Sequence, residues 1–246
     1  MITRRAAQPG PRTLRDMPVA LEWGPVGART LAESSDVVVV IDVLSFSTSL
    51  TVAVERGAKV WPHTGGESAR QLARDIDAVL AGNRSSHEGL TLSPASLMDV
   101  DADTRVILPS PNGSSIAFAA VNGGVPVIAA CLRNASAVSR YLDDFDRIAL
   151  VPAGEQWGDG SLRPAYEDLV GAGAVVDRLA GRDPGVRLTP EAEVAALAFR
   201  ALRPLEMCPS GAELVERGYA EDVRIASEID VSTVVPVLVE GRFVAA

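Results

Sequence analysis

The chain has 246 residues, with 23 Lys+Arg against 32 Asp+Glu and a formal net charge of −9. That balance argues against a general nucleic-acid binder, which needs a basic footprint to neutralise phosphates. Hydrophobic residues at 47% and charged residues at 22% place it among chains that bury a core, far from disordered compositions. Residues 1–15 carry Arg4, Arg5, Arg12 and Arg15 without an apolar core and read as a flexible tail, not a signal peptide. One α/β domain is expected over 16–246, because no shift in composition divides it. The most apolar run, Val37–Leu44, is interrupted by Asp42, so no membrane span is expected.

Strands are expected at 37–41, 59–62, 105–108, 125–129 and 147–151, alternating with helices, which predicts a mostly parallel sheet with helices on both faces. The run Val37 to Ile41 lacks polar alternation and fits a central strand buried on both sides. Helices are expected at 47–56 and 114–121, ending at Gly57 and at Asn122-Gly123-Gly124. Another follows Asn134 as N-cap over 135–142. The clearest is 165–179, where Leu169, Ala172, Val176 and Leu179 recur at helical spacing. A helix from Thr189-Pro190 to about Leu202 follows, then short helices at 212–217 and 221–227. A closing ribbon joins 234–239 to Phe243-Val244 through Glu240-Gly241-Arg242.

In parallel sheets, ligands bind beyond the carboxyl ends of strands, and four segments have that form. Asp42 to Ser49 places a carboxylate before Ser45, Ser47, Thr48 and Ser49 at a helix opening, where amides and hydroxyls can bind an anion. The alternative is that a serine is only an N-cap and Asp42 a strand-end residue tied to backbone. Pro109 to Ser115 leads a strand through Asn112-Gly113 into a helix with Ser114 in its first turn. Cys131 to Asn134 offers Arg133 as a planar anion donor. The loop 152–163 delivers Glu167 and Asp168 to a helix start, where they suit the dipole or coordinate Mg²⁺.

Other chemistries find little support. There is no P-loop, and Gly171-Ala-Gly173 lies inside a helix without a dinucleotide fingerprint. His63 and His87 are isolated. Cys131 and Cys208 are too few for a disulfide scaffold or a Cys-rich zinc site, so a reducing, cytoplasmic setting is expected.

Read in order, the strand-end motifs resemble the 2-phosphosulfolactate phosphatase family. They are Val39 to Leu44, Gly57-Ala-Lys59, Gly82-Asn-Arg84, Ser93-Pro94, Pro111-Asn-Gly-Ser114, Asn134-Ala135, Ala153-Gly154, Glu167-Asp168 with Gly171 to Ala174, and Gly218 to Asp222 with Val235-Pro236. The resemblance implies that family's α/β fold and a Mg²⁺-dependent acid phosphatase. Its reaction would convert 2-phosphosulfolactate to sulfolactate and phosphate, a step of coenzyme M biosynthesis. Asp42 with Glu167 or Asp168 would hold the metal and activate water. Asn112, Gly113, Ser114 and Asn134 would orient phosphate, with Ser45, Ser47, Thr48, Arg84 and Arg133 also on the substrate.

The departures bear on specificity. Ser45 stands where the family pattern has arginine, Asn83 where it has glutamate, and Pro152 and Gly171 where it has cysteines, which excludes covalent cysteine catalysis there. Arg84, Arg133 or Arg163 could supply the missing cation, Arg133 being the clearest candidate. Two alternatives stand beside the family reaction: a phosphatase of the same fold for another small anionic phosphomonoester, and a non-catalytic anion- or metabolite-binding protein. The expected partner is a small anionic phosphorylated substrate, and homo-oligomerisation stays open.

Overall fold

The run Val37–Ile41 forms a strand with every residue buried, and its alternating side chains feed two different cores. Val37, Val39 and Ile41 enter one apolar cluster, while Val38 and Val40 enter another. This follows from the two-residue period of a strand covered on both faces. The computed structural model describes residues 18–86 and 89–246; the tail expected at 1–15 and His87 lie outside the described residues.

In chain order the described elements are β1 (Val19–Leu21), α1 (Gly24–Ala32), β2 (Val37–Ile41), α2 (Phe46–Glu55), β3 (Lys59–His63), α3 (Glu67–Asp75) and β4 (Val79–Leu80). Next come β5 (Arg105–Pro109), α4 (Pro111–Val121), β6 (Val127–Ala130), α5 (Ala135–Tyr141), β7 (Ile148–Pro152), and the short pair β8 (Glu155–Gln156) and β9 (Leu162–Arg163). The chain closes with α6 (Tyr166–Arg182), α7 (Pro190–Arg200), α8 (Pro209–Glu216), α9 (Ala220–Ala226), β10 (Pro236–Val239) and β11 (Arg242–Ala245).

The main sheet has the order β1-β7-β2-β6-β10-β11-β3-β5-β4. Two parallel groups, β1-β7-β2-β6 and β3-β5-β4, are joined by the closing ribbon, which runs antiparallel to β6 on one side and to β3 on the other. Glu240 and Gly241 turn that ribbon with φ of 48° and 79°, the left-handed pair that a two-residue hairpin requires. Helices α1, α2 and α4 cover one face, and α5, α6 and α7 the other. Helix α4 packs against both β2 and β3 although three strands separate them in the sheet. The sheet therefore bends over that face, which brings the end of β5 beside the ends of β2 and β7.

The five expected strands and seven expected helices are present, with ends shifted by at most three residues. The elements without a strong sequence signal are short or weakly patterned. β1 has three residues, and α1 opens on Gly24-Pro25 and contains Gly27, a composition that reads as a turn. α3 buries only Ala69 and Ala73, side chains too small to mark an apolar stripe. No helix among the described residues is long and apolar enough to cross a membrane.

Candidate active site

Asp42 is the first residue beyond β2, where the apolar run stops and the chain must leave the sheet. Its Oδ1 accepts the Phe46 amide at 3.0 Å and its carbonyl accepts the Ser47 amide at 2.8 Å, so this carboxylate also caps α2. Because α2 is buried from Phe46 to Val54, its hydroxyls must be satisfied within the protein. Ser47 Oγ donates to the Val40 carbonyl and accepts from the Asp42 amide, both at 3.1 Å. Thr48 Oγ1 donates to the Val43 carbonyl at 2.8 Å, and Ser49 Oγ to that of Leu92 at 2.7 Å. Ser47 and Thr48 thus direct their hydroxyl donors to carbonyls at the end of β2 and just beyond it. Ser45 differs, since it lines the cleft and its Oγ accepts from Arg84 Nη2.

Asp168 enters from α6. Its Oδ1 accepts the Val43 amide at 2.7 Å and its Oδ2 the Gly154 amide at 2.8 Å, so it latches the end of β2 to the end of β7. The close approach depends on Gly171, one turn further along α6, where a Cβ would lie 2.6 Å from Val43 Cγ2 and 3.0 Å from Ile41 Cγ2. No room exists there for the cysteine of the family pattern. With one backbone amide on each oxygen, Asp168 acts as a structural latch between the two strand ends. Glu167 is also buried, and its Oε2 accepts the Cys208 thiol at 3.2 Å. Burial, then the charge of Glu167, pushes that thiol up to about 12, which keeps the sulfur protonated and unsuited to nucleophilic attack.

The turn after β5 closes the opposite wall. Gly113 sits where any Cβ would fall 2.3 Å from Phe46 Cδ1, so only glycine lets the start of α4 approach α2. Its amide interacts with the Asp42 carboxylate. Asn112 Nδ2 donates to the Gly154 carbonyl at 3.2 Å and to Glu155 Oε2 at 3.3 Å. Ser114 is fully buried, its hydroxyl without a hydrogen-bond partner among the described residues, and it does not line the cleft.

Asp42, Ser45, Arg84, Ser110, Asn112 and Glu155 thus face a cavity of about 330 Å³. Burial raises Asp42 to about 6, with Glu167 adding to the rise and the Phe46 amide, Arg84 and the Gly113 amide opposing it. Burial, then the charges of Asp42 and Glu167, lifts Asp168 well above the usual carboxylate range. Glu155, half-buried, is pushed up to about 7 by burial and by Asp42 and Glu167, against Arg163. Four carboxylates therefore repel one another around a site served by few cations.

Arg84 is the cation at Asp42. Its Nε donates to Asp222 Oδ2 at 2.8 Å, and Asp222, buried in α9, accepts from Ser93 Oγ as well. Neither Asp222 nor Glu155 stands among the site residues expected from sequence. Asp222 lies in the Gly218-to-Asp222 motif, which was the available signal, whereas Glu155 carries none. Arg163 lies over the Trp157 ring at 5.6 Å and donates to Ser210 Oγ at 3.4 Å. Arg133 is elsewhere: its Nη1 donates to the Ile225 carbonyl and to Glu228 Oε2. Asn134 accepts the Cys131 amide at 2.9 Å and donates to the Val234 carbonyl at 3.0 Å, tying β6 to the approach of β10. Neither Arg133 nor Asn134 lines the cleft of Asp42, and both buried groups bond to backbone carbonyls. His63 Nδ1 accepts the Gly65 amide in a local turn, and Asp159 caps its own exposed turn at Ser161.

Among the described residues, no three His, Cys, Asp or Glu side chains are grouped to hold a metal ion. Mg²⁺ does not need such a cage, since it takes one or two carboxylates and completes its shell with water and phosphate. Asp42, which lines the cleft, fits that requirement, with buried Glu167 close enough to raise its pKa though not in the cavity lining.

The profile described as 2-phosphosulpholactate phosphatase matches residues 27–241. A protein of Pseudothermotoga lettingae is 31% identical over 215 residues, 85% of this chain and 92% of its own. One of Carboxydothermus hydrogenoformans is 32% identical over 219 residues, 84% of this chain and 89% of its own. A third, from Deinococcus radiodurans, is 31% identical over 233 residues, 86% and 91% of the two chains. All three are named probable 2-phosphosulfolactate phosphatase.

Proposed function

This chain belongs to the 2-phosphosulpholactate phosphatase family, and we propose that it hydrolyses 2-phosphosulfolactate to sulfolactate and phosphate with Mg²⁺. The observation that carries the reading is the cleft in which Asp42 and Glu155 face the Arg84 guanidinium. Arg84, held by Asp222 and Ser45, binds phosphoryl oxygens, and Asn112 orients them from the opposite wall. Asp42 would hold Mg²⁺ directly and Glu167 through water; when bound, the metal neutralises charge on the phosphoryl group.

A water attacks phosphorus in line as the P–O ester bond breaks, and a carboxylate of the cluster takes its proton. Glu155, whose proton leaves only near pH 7, returns one to the departing alcohol oxygen. A second reading, the same hydrolysis on another small anionic phosphomonoester, is favoured by Ser45, which accepts a hydrogen bond where the family pattern supplies a cation.

The test is phosphate release with Mg²⁺ and with EDTA, from 2-phosphosulfolactate and from a panel of phosphorylated hydroxy acids and sugars. Metal-dependent turnover of 2-phosphosulfolactate is expected. Selective turnover of another compound would favour the second reading, and a folded protein that releases no phosphate would defeat both.

A further inference from the structure

The cleft does not stop at the cavity of Asp42. Through Arg84, Leu92 and Pro111, which line both spaces, it continues into a second cavity of about 530 Å³. Thr64, Gly65, Asn83, Ser85 and Arg217 line this outer part. Among the described residues no carboxylate lines it, in contrast to the inner part, where Asp42 and Glu155 stand. The cleft is thus polarised, acidic at its inner end and cationic at its outer one.

The cationic end is built by one turn. Arg217 follows α8, Gly218 reverses the chain with φ of 89°, and Tyr219 precedes α9, which carries Asp222. The guanidinium carbons of Arg217 and Arg84 each lie 5.8 Å from the centroid of the Tyr219 ring. One half-buried aromatic side chain therefore gathers two like charges that would otherwise repel. Arg84 is neutralised by buried Asp222. Among the described residues Arg217 has one charged partner, Glu213, 3.2 Å away in a pair with side chains 55% and 63% exposed, an arrangement that water screens strongly. Its charge remains available to an anion in the outer cavity.

Resting on the phosphatase reading above, we propose that Arg217 is a specificity residue that binds a second anionic group of the substrate, a carboxylate or sulfonate remote from the phosphate. Arg84 stands at the junction and serves the phosphoryl group, while Arg217 reads the far end of the carbon skeleton. The cation missing at Ser45 is thus supplied 172 positions later in the sequence, from the α8–α9 turn.

The proposal is tested with two substrates: 2-phosphosulfolactate, which carries remote anions, and phenyl phosphate, which carries none. In Arg217→Ala, KM for 2-phosphosulfolactate should rise on the order of tenfold with kcat little changed, and KM for phenyl phosphate should move far less. Arg217→Lys should recover part of the loss, because a point charge keeps the attraction but loses the planar fork. Equal changes on both substrates, no change on either, or a fall confined to kcat would overturn the assignment. If the wild-type protein releases phosphate from neither compound, the phosphatase reading fails. Calorimetric binding of 2-phosphosulfolactate and of inorganic phosphate to wild type and Arg217→Ala then decides the role of Arg217 by the same contrast.

Discussion

The two walls of the cleft are held by different means. On the Asp42 wall, carboxylates are fixed by backbone amides: Asp42 by Phe46, and Asp168 by Val43 and Gly154. On the Arg84 wall, side chain holds side chain: Arg84 leans on Asp222, Asp222 on Ser93, and Arg217 on the Tyr219 ring. Backbone amides survive every substitution except proline, so the first wall is bound to the fold itself. The second can be retuned one residue at a time without disturbing a strand. Chemistry placed on the first and substrate reading on the second would let one fold serve several substrates.

The largest expected effect comes from breaking the first wall at its reacting group. Asp42→Asn should lower phosphate release by about a thousandfold while making the protein more stable at neutral pH. The folded carboxyl titrates at about 6 rather than 3.8, so it holds its proton more tightly than in the unfolded chain. Its charge therefore costs stability as pH rises from about 4 to about 6. Removing that charge should gain up to about 3 kcal/mol at pH 7 and nothing below pH 4. Urea unfolding at the two pH values checks the sign, and a variant that keeps its activity would sink the assignment.

A smaller loss, on the order of a hundredfold in kcat, is expected for Glu155→Gln. In the wild type the rate should fall as pH rises through about 7, where Glu155 loses its proton. The variant should lack that limb, and a pH–rate profile with an unchanged alkaline limb would assign the proton to another group.

On the second wall, Asp222→Asn leaves Arg84 without its charged partner. It should raise KM about tenfold with less effect on kcat, because Asp222 acts only through Arg84. Steady-state kinetics separates the two, and a pure kcat defect would contradict the positioning role. The smallest effect on activity is expected at Arg133, outside both walls. Arg133→Ala should retain normal kcat/KM, yet lose about 1–3 kcal/mol of stability as the Ile225 carbonyl loses a donor and Glu228 keeps only Arg224 of its two arginines. Loss of phosphate binding in this variant would return Arg133 to the site.

How far the sequence was legible depends on the range of the interaction concerned. The strand 37–41 announces itself because five successive apolar residues must be covered on both faces, and the helix at 166–182 because its apolar stripe recurs each turn. Asp42, Glu167 and Asp168 stand out because carboxylates at strand ends and helix starts are conspicuous. Their division of labour is not legible, since Asp168 becomes a latch only when Val43 and Gly154 come within 2.8 Å. Ser47 and Thr48 look like phosphate donors in a row of hydroxyls, and become backbone partners once α2 is known to be buried.

The sequence by itself determined the local periodicities, the α/β class, the acidic balance and the motif order that marks the family, all of which depend on near neighbours along the chain. Only the tertiary structure decided that the sheet bends to set β5 against β2 and β7, that Arg84 pairs with Asp222 across 138 positions, and that Arg133 turns away. Those outcomes depend on which buried charges and hydrogen-bonding groups find partners, and in a closed interior the partner is chosen by distance in space rather than along the chain.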